Sequence, residues 1–210
     1  MRSLVLFCAV VASAFATLGY DTIDGQTVAS FQCMKSHGYV FYIARAYRSS
    51  GVVDSAGIAS IGHAWSGGME DVDAYIFPCA SSGCPSPQAQ VDATVNALKG
   101  VKFGMIWLDI EIYKWPANHA SNQNFILALG KALDGHGIKW GVYSNLNNWS
   151  NIVGSTWDAL KDKQLWWARY NGRADLGDFQ AFGGWTKPNI HQYSGDASGP
   201  CGFKIDQNYY

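Results

Sequence analysis

Apolar residues along the chain gather into short runs of two kinds that take turns. The runs "LGYDT" (18–22), "YVFYIARAYRSSG" (39–51), "DVDAYIFPC" (71–79), "VKFGMIWLDIE" (101–111) and "IKWGVYSN" (138–145) are rich in β-branched and aromatic residues and read as strands. Between and after them, "VASFQCMKSHG" (28–38), "SAGIASIGHAWSGG" (55–68), "SPQAQVDATVNALKG" (86–100), "NQNFILALGKALDGHG" (122–137) and "TWDALKDK" (156–163) read as helices, all but the last closed by a Gly stop. After position 163 the helical pattern ceases. "QLWWARY" (164–170), "NIHQYSG" (189–195) and "FKIDQNYY" (203–210) then read as three strands joined by loops. Five βα units followed by three strands predict a single-domain α/β protein, a parallel eight-stranded barrel with a truncated helical ring. Its active site is expected at the carboxyl ends of the strands.

One strand breaks the apolar rule. Side chains alternate along a strand, so in "WLDIE" Trp107, Asp109 and Glu111 share one face while Ile106, Leu108 and Ile110 share the other. Same-face neighbours are about 6.6 Å apart at Cα, close enough for each carboxylate to disfavour ionisation of the other. Two ordinary carboxylates at a frayed strand end would each pair with a base, yet the nearest basic residue downstream, Lys114, follows the strand. Asp21 ends the first strand and Asp206 sits in the last; strands one and eight of a closed barrel are neighbours, so both are expected on the mouth that holds Glu111. Four carboxyls in one pocket imply chemistry or a bound cation. Calcium loops are contiguous and oxygen-rich, and nothing matches an EF-hand, so no metal and no cofactor is expected. Paired carboxylates suit glycoside cleavage, in which one protonated group donates to the leaving oxygen while an ionised one attacks or stabilises the oxocarbenium-like transition state.

The ends of the chain and its cysteines set the compartment. "MRSLVLFCAVVASAFA" has a basic residue, an apolar run and an Ala14-Phe15-Ala16 small-residue site, the pattern of a signal peptide over 1–16 followed by a mature domain over 17–210. Cys8 would leave with that leader. The even set that remains, Cys33, Cys79, Cys84 and Cys201, implies two disulfides; three pairings are formally open, and the spacing of "CASSGC" suits Cys79 with Cys84, leaving Cys33 for Cys201. A secreted or lysosomal protein is expected. The 15 basic and 16 acidic residues carry no basic stripe, which argues against nucleic acid or an anionic membrane as partner, and no later segment is apolar enough to span a bilayer. The 9 Trp, 11 Tyr and 10 Phe suit stacking on sugar rings, although large aromatics fill cores as well.

Taken together, "GYDT", "WLDIE", "GVYSN", "LWWARY", "HQYSG" and "KIDQN", six motifs in order over nearly all of residues 17–210, resemble a lysozyme of glycoside hydrolase family 25, the Chalaropsis type, and its invertebrate and protist members most. The resemblance implies a modified TIM-like barrel, (β/α)5(β)3, in agreement with the strand count. It also implies an N-acetylmuramidase that cuts the β-1,4 bond of bacterial peptidoglycan with retention, in defence or digestion. Glu111 would be the general acid, Asp109 would orient or stabilise the reacting N-acetyl sugar, and Asp21 and Asp206 would complete the carboxylate ring. The family's first strand often reads Gly-Ile-Asp with a Ser soon after. Here Tyr20 and Thr22 flank Asp21.

Other residues carry less. Tyr143 and Tyr170, at the ends of strands five and six, and Gln192 on strand seven are candidate substrate contacts, though core packing accounts for the tyrosines equally well. Only one of Trp166 and Trp167 is able to face substrate, since they point to opposite faces. His37, His63, His119 and His136 are expected in surface or capping roles, and His191 in a core hydrogen bond. "NNWS" makes Asn148 an N-glycosylation sequon just past strand five. Bacterial peptidoglycan is the expected partner and a monomer the expected state. A barrel chitinase would place several Asp before the Glu, and an inactive glycan-binding barrel would lose the acid; "WLDIE" fits neither.

Overall fold

The computed structural model describes residues 17–210; the leader expected over 1–16 lies outside the described residues. The chain runs β1 (Leu18–Thr22), α1 (Val28–Ser36), β2 (Tyr39–Arg48), β3 (Val52–Val53), α2 (Ser55–Ser66), β4 (Asp71–Ile76), α3 (Pro87–Ala97) and β5 (Ile106–Asp109). It continues through α4 (His119–Gly135), β6 (Trp140–Ser144), α5 (Leu146–Ile152), β7 (Gln164–Ala168), β8 (Ile190–Ser198) and β9 (Lys204–Tyr209). Eight strands close into a barrel in the order β1-β2-β4-β5-β6-β7-β8-β9, with β9 returning to β1, and β3 is a short antiparallel flap on the end of β2. The single-domain (β/α)5(β)3 barrel is therefore present.

Strand alternation sorts the apolar residues into two layers. Phe41, Ile43, Tyr75, Met105, Trp107, Tyr143, Trp166 and Ile190 pack inside the barrel. Their sequence neighbours Tyr42, Ala44, Ala74, Ile76, Ile106, Leu108, Val142, Leu165 and Trp167 face outward, most of them beneath the helical ring. Each helix starts at a side-chain cap: Thr27, Asp54, Ser86, Asn118 and Asn145 accept from the backbone N–H of Ser30, Gly57, Ala89, Ser121 and Asn148. Such caps contribute about 1 kcal/mol each.

Three expectations need correction. The fifth helix is not at 156–163: it covers Leu146–Ile152, because Asn145 caps it and Trp149 and Ile152 bury there, and Gly154 at φ 90° follows its end. Residues 156–163 form turns, in which Trp157 stacks on Trp149 at 5.3 Å. The fourth barrel strand is shorter than 101–111 and ends at Asp109, although Ile110 still donates to the Tyr143 carbonyl at 2.9 Å. Finally, the barrel is not wholly parallel, since β9 runs antiparallel to both β8 and β1.

Candidate active site

The reversal of β9 decides where Asp206 goes. Asp206 stands near the start of its strand, which in a parallel strand would place it near the barrel floor. Running backwards, β9 pairs Asp206 with Asp21 at the carboxyl end of β1. Asp109 closes β5, and Glu111 follows it by two residues. These four carboxyls line one cavity of about 220 Å³ at the mouth, with Arg45, Tyr75, Phe77, Tyr143, Trp166, Tyr170, Gln192 and Ile23. A second lobe of about 290 Å³ shares Glu111, Tyr143 and Tyr170 and extends to Asn145, Asn148 and Arg169. The largest cavity, about 400 Å³, contains none of the four. It has Asp71 and Asp73, but Asp73 is held by Met105 N and Trp107 Nε1 at 2.9 Å each, and Asp71 by the Tyr210 hydroxyl at 2.8 Å.

Gln192 organises the mouth cavity. Its amide NH2 donates to Asp21 Oδ1 at 2.9 Å, and its Oε1 accepts from the Tyr143 hydroxyl at 2.7 Å and the Tyr170 hydroxyl at 3.0 Å. Asn208 Nδ2 donates to the same Asp21 oxygen at 2.7 Å while its Oδ1 accepts from Trp166 Nε1 at 2.7 Å. Asp206 Oδ1 accepts from Asp196 N at 2.7 Å. Asp109 differs from these: it is 6% exposed, and its Oδ1 is buried without any hydrogen-bond partner among the described residues. The lack of a donor at Oδ1, together with burial, favours the protonated form of this carboxyl.

Burial raises the pKa of all four acids, because the charged form loses water. Asp109 is raised well above the ordinary carboxylate range by burial, then by Glu111 and Asp21, with Arg45 opposing. Asp21 is likewise raised well above it, by burial, then by Asp206, against the hydrogen bonds from Asn208 and Gln192. Glu111 is raised by burial and then by Asp206. The repulsion between Glu111 and its strand neighbour Asp109 is mutual, and it falls on Asp109, the more deeply buried of the two. Asp206 is itself raised by burial, against the Asp196 N–H.

The remaining candidates fall as follows. Tyr143 is buried in the wall, whereas Tyr170 is 62% exposed at the rim. Trp166 faces the cavity and Trp167 packs on the outer side. His191 is buried, with Nδ1 against the Asp175 carbonyl and Nε2 against the Arg169 carbonyl. The disulfides join Cys33 to Cys201 and Cys79 to Cys84. His37 sits by the first pair, but both sulfurs are already bonded to each other, which removes them as metal ligands. Asn148 lies in α5 and its Oδ1 accepts from Ile112 N at 3.2 Å.

Several lining residues escaped the sequence reading. Arg45 ends the inward series Phe41, Ile43, Arg45 on β2; Tyr75 and Phe77 continue the face of Asp73 on β4; Asn208 shares the face of Asp206. Period-two counting from the strand ends would have found each of them.

A family model described as lysozyme-like protein 1 matches residues 12–193. Lysozyme-like protein 5 of Caenorhabditis elegans is 43% identical over 99% of this chain and 96% of its own. Probable GH family 25 lysozyme 4 of Dictyostelium discoideum is 38% identical over the same shares. The chain belongs to the glycoside hydrolase family 25 lysozymes. Among solved structures, a muramidase from Acremonium alcalophilum superposes with a TM-score of 0.73 at 20% identity, covering 92% of this chain and 93% of that one. A family GH25 lysozyme from Aspergillus fumigatus does so at 0.73 and 18%, covering 93% of each chain. At such identities the likeness speaks to the fold, and it is the family's barrel. The six motifs that carry the family 25 resemblance fall on or at the ends of β1, β5, β6, β7, β8 and β9, all strands of the carboxylate-bearing wall.

Proposed function

We propose that this glycoside hydrolase is a secreted N-acetylmuramidase that cuts the β-1,4 bond between N-acetylmuramic acid and N-acetylglucosamine in bacterial peptidoglycan. The observation that carries the proposal is the pairing of Glu111 with Asp109 in one mouth cavity, the deeper carboxylate having a buried oxygen that no protein donor meets. An N-acetyl sugar brings a donor, its acetamide N–H, and an anomeric carbon whose growing positive charge an ionised Asp109 meets. Glu111, protonated through burial and the charge of Asp206, donates its proton to the glycosidic oxygen as the bond to the anomeric carbon breaks. Asp109 stabilises the positive charge that results. Water then adds to the anomeric carbon on the departed face and gives its proton to the Glu111 carboxylate, which restores the acid and retains configuration. Asp21 and Asp206 complete the ring, and Gln192 ties Asp21 to both tyrosines, so the sugar-facing hydroxyls are fixed before substrate arrives.

Two disulfides match an oxidising compartment, and the 1–16 leader with a monomeric 17–210 domain completes the proposal. Among the described residues no helix is long and apolar enough to cross a membrane. The test is direct: purified protein should clear bacterial walls and release glycan with muramic acid at the new reducing end. Release of N-acetylglucosamine reducing ends, or of peptide alone, defeats it.

A further inference from the structure

The second lobe of the cleft is built from donors. Asn145 and Asn148 each use the side-chain oxygen internally, to accept from Asn148 N and Ile112 N, and their NH2 groups meet no protein acceptor among the described residues. Beside them lies Arg169, immediately after β7, on the border between the lobe that reaches back to Glu111 and a neighbouring depression of about 270 Å³ that shares Asn145 and is lined by Trp167 and Gln180. Every other described arginine is ion-paired: Arg45 and Arg48 share Asp54, and Arg173 meets Asp175 and Asp178. Among the described residues Arg169 has no carboxylate within ion-pair distance; its Nη1 donates to the Asp178 carbonyl at 2.7 Å, and the guanidinium lies 6.0 Å from the Trp167 ring. Its backbone is pinned on both sides, N to the Gln192 carbonyl at 3.0 Å and O to His191 Nε2 at 2.8 Å. A positioned guanidinium with two carboxamide NH2 groups matches an acceptor-only anion. The adjoining lobe has four carboxyls and an Arg45 already paired with Asp54, so it offers the same anion no free cation, which fixes the direction in which a charged substrate lies.

We propose that Arg169, with Asn145 and Asn148, binds a carboxylate of the substrate and makes Arg169 a specificity-determining residue. On the muramidase reading, on which this rests, the carboxylate is the 3-O-lactyl group of a muramic acid residue or a carboxylate of the stem peptide attached to it. The pair lies at an exposed rim and weakens with salt.

The test compares peptide-free glycan strands, whose lactyl carboxylates are free, with strands that keep their stem peptides. Each is prepared as the acid and with its carboxylates converted to primary amides, and kcat/KM is measured. The wild type should favour acid over amide about fivefold on at least one strand type, the upper end of what an exposed ion pair contributes. Arg169→Gln should bring that ratio near one and Arg169→Lys should keep part of it. The strand type that shows the preference identifies the source of the carboxylate. A ratio unchanged in Arg169→Gln, or a wild-type ratio of one on both strand types, overturns the assignment. A wild type that cleaves no strand in any form defeats the muramidase reading instead.

Discussion

Glu111 and Asp109 sit two residues apart and meet different surroundings, and that difference divides their work. Glu111 is half-buried at the junction of both lobes, where a leaving oxygen reaches it; Asp109 is buried one layer down, with one oxygen that meets no donor among the described residues. Glu111→Gln keeps the shape and removes the proton, so wall lysis should fall about a thousandfold with an unchanged circular dichroism spectrum. Near-wild-type turnover in that variant would place the acid elsewhere. Asp109 and Glu111 were legible in the sequence because two charges on the inward face of an apolar strand have no bland explanation once the strand ends at a barrel mouth. Arg45 was not, since on its own strand it looks like a terminal base; only the fold shows it ion-paired to Asp54 and reaching the cavity. The sequon at Asn148 is a matter for this scale too. Its carboxamide is engaged with Ile112 N and lines the cleft, in a helix whose next residue, Trp149, is fully buried. The intact mass of protein expressed through a eukaryotic secretory pathway should therefore show no N-glycan, and should be unmoved by glycosidase treatment.

At the scale of elements, five βα units could be read from alternating runs because strands and helices here bury opposite periodicities. The fifth helix was misplaced since Trp157 and Leu160 mimic a helical stripe, while the stronger signal, the Asn145 cap followed by Trp149 and Ile152, hid behind a strand-like run. The direction of β9 was readable: residues 199–203 are too short a link for a parallel crossover, which needs a dozen residues or more. Helix α2 shows how tightly the ring sits. A Cβ on Gly57 would lie 1.9 Å from the Arg45 carbonyl oxygen, so helix and strand approach there as only glycine permits. Gly57→Ala should cost about 2–3 kcal/mol and lower Tm by roughly 2–4 °C per kcal/mol. Gly62, in the same helix with nothing within 4 Å, is the control: Gly62→Ala should hold or raise Tm. Equal losses in both would mean that the close contact with β2 is not what sets the cost at Gly57.

The whole molecule joins activity to pH through its four raised acids. In the folded state Asp21, Asp109, Glu111 and Asp206 hold protons at pH values where the unfolded chain has released them. Stability from these groups is therefore greatest below the ordinary carboxylate range and is lost as pH rises through each raised value. Asp54 works in the other direction. Burial alone would raise it, but the Arg48, Arg45 and Gly57 hydrogen bonds hold it below its ordinary value, so its contribution fades as pH falls through that lowered value. Asp109→Asn should accordingly raise Tm at neutral pH while abolishing activity, and the gain should vanish in strong acid, where the wild-type residue is protonated folded or unfolded. A gain that persists there would come from packing rather than charge. Catalysis follows the same protons: Glu111 is competent below its raised pKa and loses its proton above it, which predicts an acid optimum on a small soluble muropeptide. Whole walls add a second term. With residues 1–16 removed the formal net charge moves from −1 to −2, since Arg2 goes with them, and protonation of exposed carboxylates reverses that sign in acid. Attraction to anionic walls is screened by salt, whereas proton donation inside the cleft responds far less. Activity measured from pH 4 to 8 at low and high salt should thus peak in acid on both substrates and fall with salt on walls alone. A soluble-substrate optimum above neutrality would sink the proton argument, and wall lysis indifferent to salt would sink the charge argument while leaving Glu111 in place.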